Sequence, residues 1–130
     1  MTTHVPADLL DLLTEPHFAS LGTIRPDGAV QVNPMWFEFD GETIRFTHTS
    51  KRAKFRNLQL NPAMTVLVLD PANPMRYLEV RGRLVDVIAD PEGAFYVHLG
   101  QRYGDKQTPA PADKADRVIL VMSVEKTTRK

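Results

Sequence analysis

Between Glu42 and Asp70 the sequence contains no acidic residue, yet it holds Arg45, Lys51, Arg52, Lys54 and Arg56, with His48 just ahead of the last four. Ser50 stands where an N-cap would, predicting a helix from about Lys51 to Leu60 that Asn61 and Pro62 close. Lys51, Arg52, Lys54 and Arg56 would then crowd the helix start, where the macrodipole is already positive and acids are the favoured residues. Arg52 and Arg56 add an i, i+4 like-charge pair, a further small penalty. A bound anion reverses both costs, because exposed amides at a helix start together with Lys and Arg make a phosphate site, to which Ser50 can add a hydroxyl. Simple solvation of a charged surface is the alternative. A duplex-binding patch fits less well, since the stripe is short and no nucleic-acid-binding motif accompanies it.

A second feature is Asn33-Pro34-Met35-Trp36-Phe37, in which a residue without a backbone donor meets the only tryptophan. Pro34 predicts an edge or interrupted strand. The amides and carbonyls beside such a break are expected to be free to meet the edge of a flat ligand, with Met35 and Trp36 offering polarizable surface. Packing into the core is the competing role for Trp36.

Other chemistry finds little support. His4, His17, His48 and His98 show no metal-ligand spacing, so structural or surface roles are expected and no metal is. No GxSxG, GxGxxG or Walker sequence occurs, and Ser20, Ser50 and Ser123 lack a nucleophile context. Glu38, Asp40 and Glu42 alternate beside a turn, where solvation explains them. With no acid, base or nucleophile set to assign as catalytic, redox chemistry would have to come from a bound cofactor.

The elements that must position these residues follow from pattern. Pro6 to Thr14 predicts a short amphipathic helix. Strands are expected at Phe18–Ile24, Val30–Phe39, Ile44–Thr49, Thr65–Leu69, Arg76–Val87 and Val118–Val124, the fifth broken by Gly82. Turns fall at Arg25-Pro26-Asp27-Gly28 and Asp40-Gly41. A last helix is expected over Pro91–Tyr103, followed by a proline-containing loop to Asp116. Short antiparallel strands with few helices predict a six-stranded antiparallel split barrel, mainly β, as one domain over residues 1–130.

Composition agrees. The chain has 130 residues, 42% hydrophobic, with 16 basic and 16 acidic residues and no cysteine. Neutral net charge argues against a general nucleic-acid coat or a polybasic membrane binder, and the lack of thiols removes disulfide, thiolate-metal and cysteine-nucleophile chemistry. No run of about 18 apolar residues and no basic leader occurs, so a soluble cytoplasmic protein is expected.

These fragments together resemble a known family. Leu21-Gly22-Thr23, Asp27-Gly28, Val32-Asn33-Pro34-Met35-Trp36-Phe37, Lys54-Phe55-Arg56-Asn57-Leu58, Asn61-Pro62 and Tyr77 to Gly82 are similar in order and spacing to the pyridoxamine 5'-phosphate oxidase-like split-barrel proteins, above all the branch using the deazaflavin coenzyme F420. The likeness spans about residues 8 to 124. It implies a homodimer with cofactor grooves at the subunit interface and hydride transfer from reduced deazaflavin to an enone, quinone or tetrapyrrole. It also implies that Lys51, Arg52 and Lys54 hold the phosphate with Asn57 nearby, that Thr49 and Ser50 lie near the linker, and that Pro34, Met35 and Trp36 lie along the ring. Met75, Arg76 and Tyr77 would approach from the partner chain. FMN in the same fold, or a carrier without turnover, are the alternatives, and the cationic cluster does not separate them.

Overall fold

The computed structural model describes residues 5–105 and 107–129; His4 lies outside the described residues. In chain order, a 3-10 turn (Ala7–Leu9) leads into helix α1 (Asp11–Thr14), then strands β1 (Ala19–Ile24), β2 (Val30–Met35), β3 (Glu38–Phe39) and β4 (Thr43–Thr49). Helix α2 (Ala53–Leu60), β5 (Ala63–Asp70), β6 (Asn73–Ala89), helix α3 (Ala94–Arg102), a second 3-10 turn (Lys114–Asp116), β7 (Arg117–Ser123) and β8 (Lys126–Thr128) follow. Both predicted tight turns form, with Gly28 and Gly41 at φ 86° and 99°, a region open to glycine at little steric cost.

Period-two alternation builds the interior. It turns Ala19 and Leu21 of β1, Ile44 and Phe46 of β4, Met64, Val66 and Val68 of β5, Leu78 and Val80 of β6, and Leu120 and Met122 of β7 into one buried cluster. Leu9, Leu12 and Leu13 of the N-terminal turns close its end.

Pairing runs β2–β1–β5–β6–β7–β4–β3, every neighbour antiparallel, with β8 added to β6. The two ends of this path are one stretch of chain, since β2 passes to β3 through Trp36 and Phe37. The sheet therefore curls into a barrel that is split at that point. Eight strands form where six were expected, because the 30–39 segment divides and because β8 carries no hydrophobic alternation to announce it.

Gly82 does not break β6. The strand runs on, pairing with β5 through Arg83 and with β7 from Leu84. What the glycine permits is a close crossing: a Cβ there would lie 1.8 Å from the Ser123 carbonyl oxygen. Without a side chain, β6 can bend from one half of the barrel to the other.

Strand β2 is patterned inside out. Its inward residues are Gln31, Asn33 and Met35, while Val30 and Val32 face outward at 62% and 59% exposure. One end of the barrel interior is consequently polar, where Thr23, Gln31, Asn33 and His48 continue the rows that start with Leu21 and Phe46.

Candidate functional site

A groove of about 810 Å³ opens at this polar end. Gln31, Asn33, Pro34 and Met35 line one side, Thr47 and His48 of β4 and Arg52, Ala53 and Lys54 at the start of α2 another, and Phe18, Trp36, Tyr96 and Arg117 form the rest.

The helix that supplies the cations begins later than expected. Arg52, in extended conformation, precedes its first residue, no side chain caps it, and its first turn holds no acid. Ser50 is not the N-cap: its amide and hydroxyl both donate to the Asp116 carbonyl, at 3.0 and 3.4 Å. Lys51 and Arg52 thus lie ahead of the helix, and only Lys54 and Arg56 lie within it. A tertiary partner has outcompeted the local cap.

Lys54 carries the electrostatics. Its side chain is buried, at 6% exposure, and its ammonium donates to the thioether of Met35 at 3.3 Å. No carboxylate pairs with it among the described residues. Burial, followed by the nearby Arg52 charge, holds its pKa below the usual lysine value. An ammonium removed from water and offered only a sulfur is costly, a cost that an anion at this position would offset.

His48 reports the same field. Burial first, then Lys54, Arg52 and Arg117, push its pKa down to about 4, so the ring is neutral at neutral pH. Its Nε2 and the Thr47 hydroxyl are buried with no hydrogen-bond partner among the described residues. Behind the groove, the Asn57 amide donates to Thr23 Oγ1 at 3.3 Å and to Gln31 Oε1 at 3.1 Å, and Gln31 Nε2 donates to Asn33 Oδ1 at 3.1 Å. This chain of amides fixes the polar face of β2.

The opposite wall is aromatic. Trp36 stacks on Tyr103, with centroids 5.3 Å apart and planes 12° apart, and Tyr96 borders it at 6.1 Å. Arg117 lies over the Tyr96 ring at 4.8 Å while Asp113 holds its Nε at 3.0 Å. At the strand break the Phe37 N–H and C=O are not free for a ligand: Tyr103 and Arg102 take them. A cleft of this volume, with a buried unpaired cation at one end and flat rings at the other, fits a planar heterocycle carrying a phosphate. Among the described residues no group of His, Asp or Glu could hold a metal ion.

A family model described as Pyridoxamine 5'-phosphate oxidase matches residues 5–130. The chain belongs to that family. An F420H(2)-dependent biliverdin reductase of Mycobacterium tuberculosis (strain CDC 1551 / Oshkosh) is 30% identical over 132 residues, 96% of this chain and 88% of the relative. A solved structure described as an F420 reductase is 52% identical with a TM-score of 0.94, over 97% of this chain and 100% of that one. A conserved hypothetical protein of Mycobacterium tuberculosis shares the fold at 24% identity and a TM-score of 0.73, over 97% of this chain and 84% of its own.

In this member of the pyridoxamine 5'-phosphate oxidase family, five of the residues that the resemblance implied for the cofactor line the groove: Pro34, Met35, Trp36, Arg52 and Lys54, with Asn33 of the same segment beside them. Asn57 reaches it through Gln31. Thr49, Ser50 and Lys51 adjoin it along the chain without lining it. Met75, Arg76 and Tyr77 lie apart, in a cleft of about 200 Å³ with Leu9 and Arg129. There Arg76 is tied to Asp11 at 2.6 Å, to Asp70 at 3.0 Å and to the Asp8 carbonyl at 2.7 Å. Within one chain Arg76 is an anchor for the N-terminal turns. Phe18, Gln31, Thr47, His48, Tyr96 and Arg117 were not expected in the groove. Only Gln31 carried a signal, a polar residue at the inward parity between two valines.

Proposed function

We propose that the protein is an F420H2-dependent reductase that delivers a hydride to an unsaturated small-molecule acceptor, an enone, quinone or tetrapyrrole, in the groove between α2 and Trp36. The cofactor, when bound, supplies the hydride. In this reading Lys54 and Arg52, with Lys51, bind its phosphate and Asn57 holds the strand beside it. Thr49 and Ser50 flank the linker, and Pro34, Met35 and Trp36 seat the ring and exclude water. The single observation that carries the proposal is Lys54, a buried ammonium facing only a thioether beside a cleft of suitable size. The names of the two F420-linked relatives support the choice of cofactor.

The functional unit in this reading is a cytoplasmic homodimer in which residues 1–130 act as one domain. Support comes from β2, whose exposed valines put an apolar strip on a sheet edge, a place that monomers usually protect with charge. Met75, Arg76 and Tyr77 would reach the cofactor from the second copy. The test is titration with F420 and with FMN, followed by Trp36 fluorescence, then addition of enone, quinone and tetrapyrrole acceptors to the reduced F420 complex. F420 binding with acceptor-dependent oxidation is expected. Preferential FMN binding would replace the cofactor assignment, and tight binding without oxidation across the panel would make the protein a carrier.

A further inference from the structure

Arg102 and Tyr103 do not line the groove, yet both reach the strand break that forms its aromatic wall. Phe37 sits at that break, fully buried, where an unpaired amide or carbonyl costs about as much as a lost hydrogen bond. Side chains from the end of α3 do the work of a missing strand. The Tyr103 hydroxyl accepts from the Phe37 N–H at 3.1 Å and donates to the His17 carbonyl at 2.6 Å. Arg102 Nε donates to the Phe37 carbonyl at 2.9 Å, and its Nη atoms donate to the carbonyls of Leu13, Thr14 and Glu15 at the C-terminal end of α1. The Tyr103 ring is the one stacked on Trp36.

We propose that Tyr103 is a positioning residue for the reaction: its hydroxyl sets the path of the chain at the break, and its ring sets the plane of Trp36 and thereby the seat of the planar ligand. This rests on the groove being the reaction site proposed above. Arg102 shares the first task through its hydrogen bonds, and its guanidinium lies over the Phe37 and Tyr103 rings. Burial raises the Tyr103 pKa, which keeps the phenol a donor to His17. Hydride transfer needs donor and acceptor carbons in near contact, and a displacement of about 1 Å can cost on the order of a hundredfold in rate. A tryptophan stacked on one side has far fewer planes to offer than one that is free to turn.

The experiment compares Tyr103→Phe, which keeps the ring, with Tyr103→Leu, which removes it. Trp36 is the only tryptophan, so its emission and its dichroism at the long-wavelength edge, where tyrosine does not absorb, report its setting in ligand-free protein. Tyr103→Leu is expected to lose the Trp36 dichroism, and Tyr103→Phe to keep it. Per folded molecule, Tyr103→Leu should lower kcat and raise the acceptor KM, with kcat/KM falling roughly 10- to 100-fold. F420 affinity should fall by a smaller factor than kcat/KM does, because the phosphate end at Lys54 is untouched, and Tyr103→Phe should recover most of kcat. An unchanged Trp36 spectrum in Tyr103→Leu would overturn the proposal. So would a lowered melting temperature with wild-type kcat and KM in the folded fraction, the mark of a purely structural contact. Should Tyr103→Leu fail to fold, Tyr103→His, with a ring too small to cover the indole, takes its place. If the wild type neither binds nor oxidises F420H2, the proposed function fails, while the ligand-free spectra still judge what sets the plane of Trp36.

Discussion

Replacing Lys54 with methionine should move stability and cofactor binding in opposite directions. In the ligand-free protein the Lys54 ammonium is buried against Met35 Sδ with Arg52 as its charged neighbour, an arrangement that desolvates a cation and returns little. Methionine fills similar space, removes the charge and keeps the contact with Met35. Relief of an imperfectly satisfied buried polar group is worth about 1 to 2 kcal/mol. For a chain of this length that is a rise of roughly 3 to 10 °C in melting temperature. The same substitution deletes one charge-assisted contact to the phosphate, about 1.5 to 3 kcal/mol, or roughly 10- to 150-fold in Kd. Thermal unfolding with and without F420 reads both effects in one assay. The wild type should melt lower alone and gain more from the cofactor; Lys54→Met should melt higher alone and gain little. A variant that melts lower than the wild type and binds F420 equally well would show that Lys54 is a packing residue whose charge faces no ligand.

His48 makes stability acid-sensitive: the unfolded ring takes a proton near its ordinary 6.5, the folded one only near about 4, so its contribution is present above 6.5 and lost as pH falls through that window, on the order of 3 kcal/mol. Urea midpoints for His48→Gln should therefore decline less between about pH 7 and pH 4.5 than those of the wild type; equal declines would acquit the ring. Gly82→Ala should destabilise by about 2 kcal/mol or more, because its methyl meets the Ser123 carbonyl backbone, and an unaltered denaturation midpoint would mean that the crossing is looser than described. If the proposed homodimer forms through β2, the wild type should sediment as a dimer and Val32→Lys, on the exposed face of that strand, as a monomer; a monomeric wild type, or a dimer unaffected by the lysine, would refute that interface.

The sequence announces those parts of this fold whose stabilising contacts are local. The alternation of β1 and β5, the glycines that turn Asp27-Gly28 and Asp40-Gly41, and the end of α2 at Asn61 are each decided within a few residues. Ser50 shows where that fails. Its preference for capping is genuine, but the Asp116 carbonyl, 66 residues away, takes its donors, and α2 starts three residues after it. Likewise, Pro34 signals an interruption but not its form, because the groups that complete it, Tyr103 and Arg102, arrive from the end of α3. The cationic half of the groove is legible since its residues share one segment. Phe18, Tyr96 and Arg117 join it only through the closing of the barrel, and nothing near them in the chain foretells it.

The decisive experiment is a structure of the protein with F420 bound. Phosphoryl oxygens are expected within about 3 Å of Lys54 Nζ, displacing its contact with Met35, with the ring system against Trp36. A phosphate bound elsewhere, with Lys54 still turned to the thioether, would contradict it.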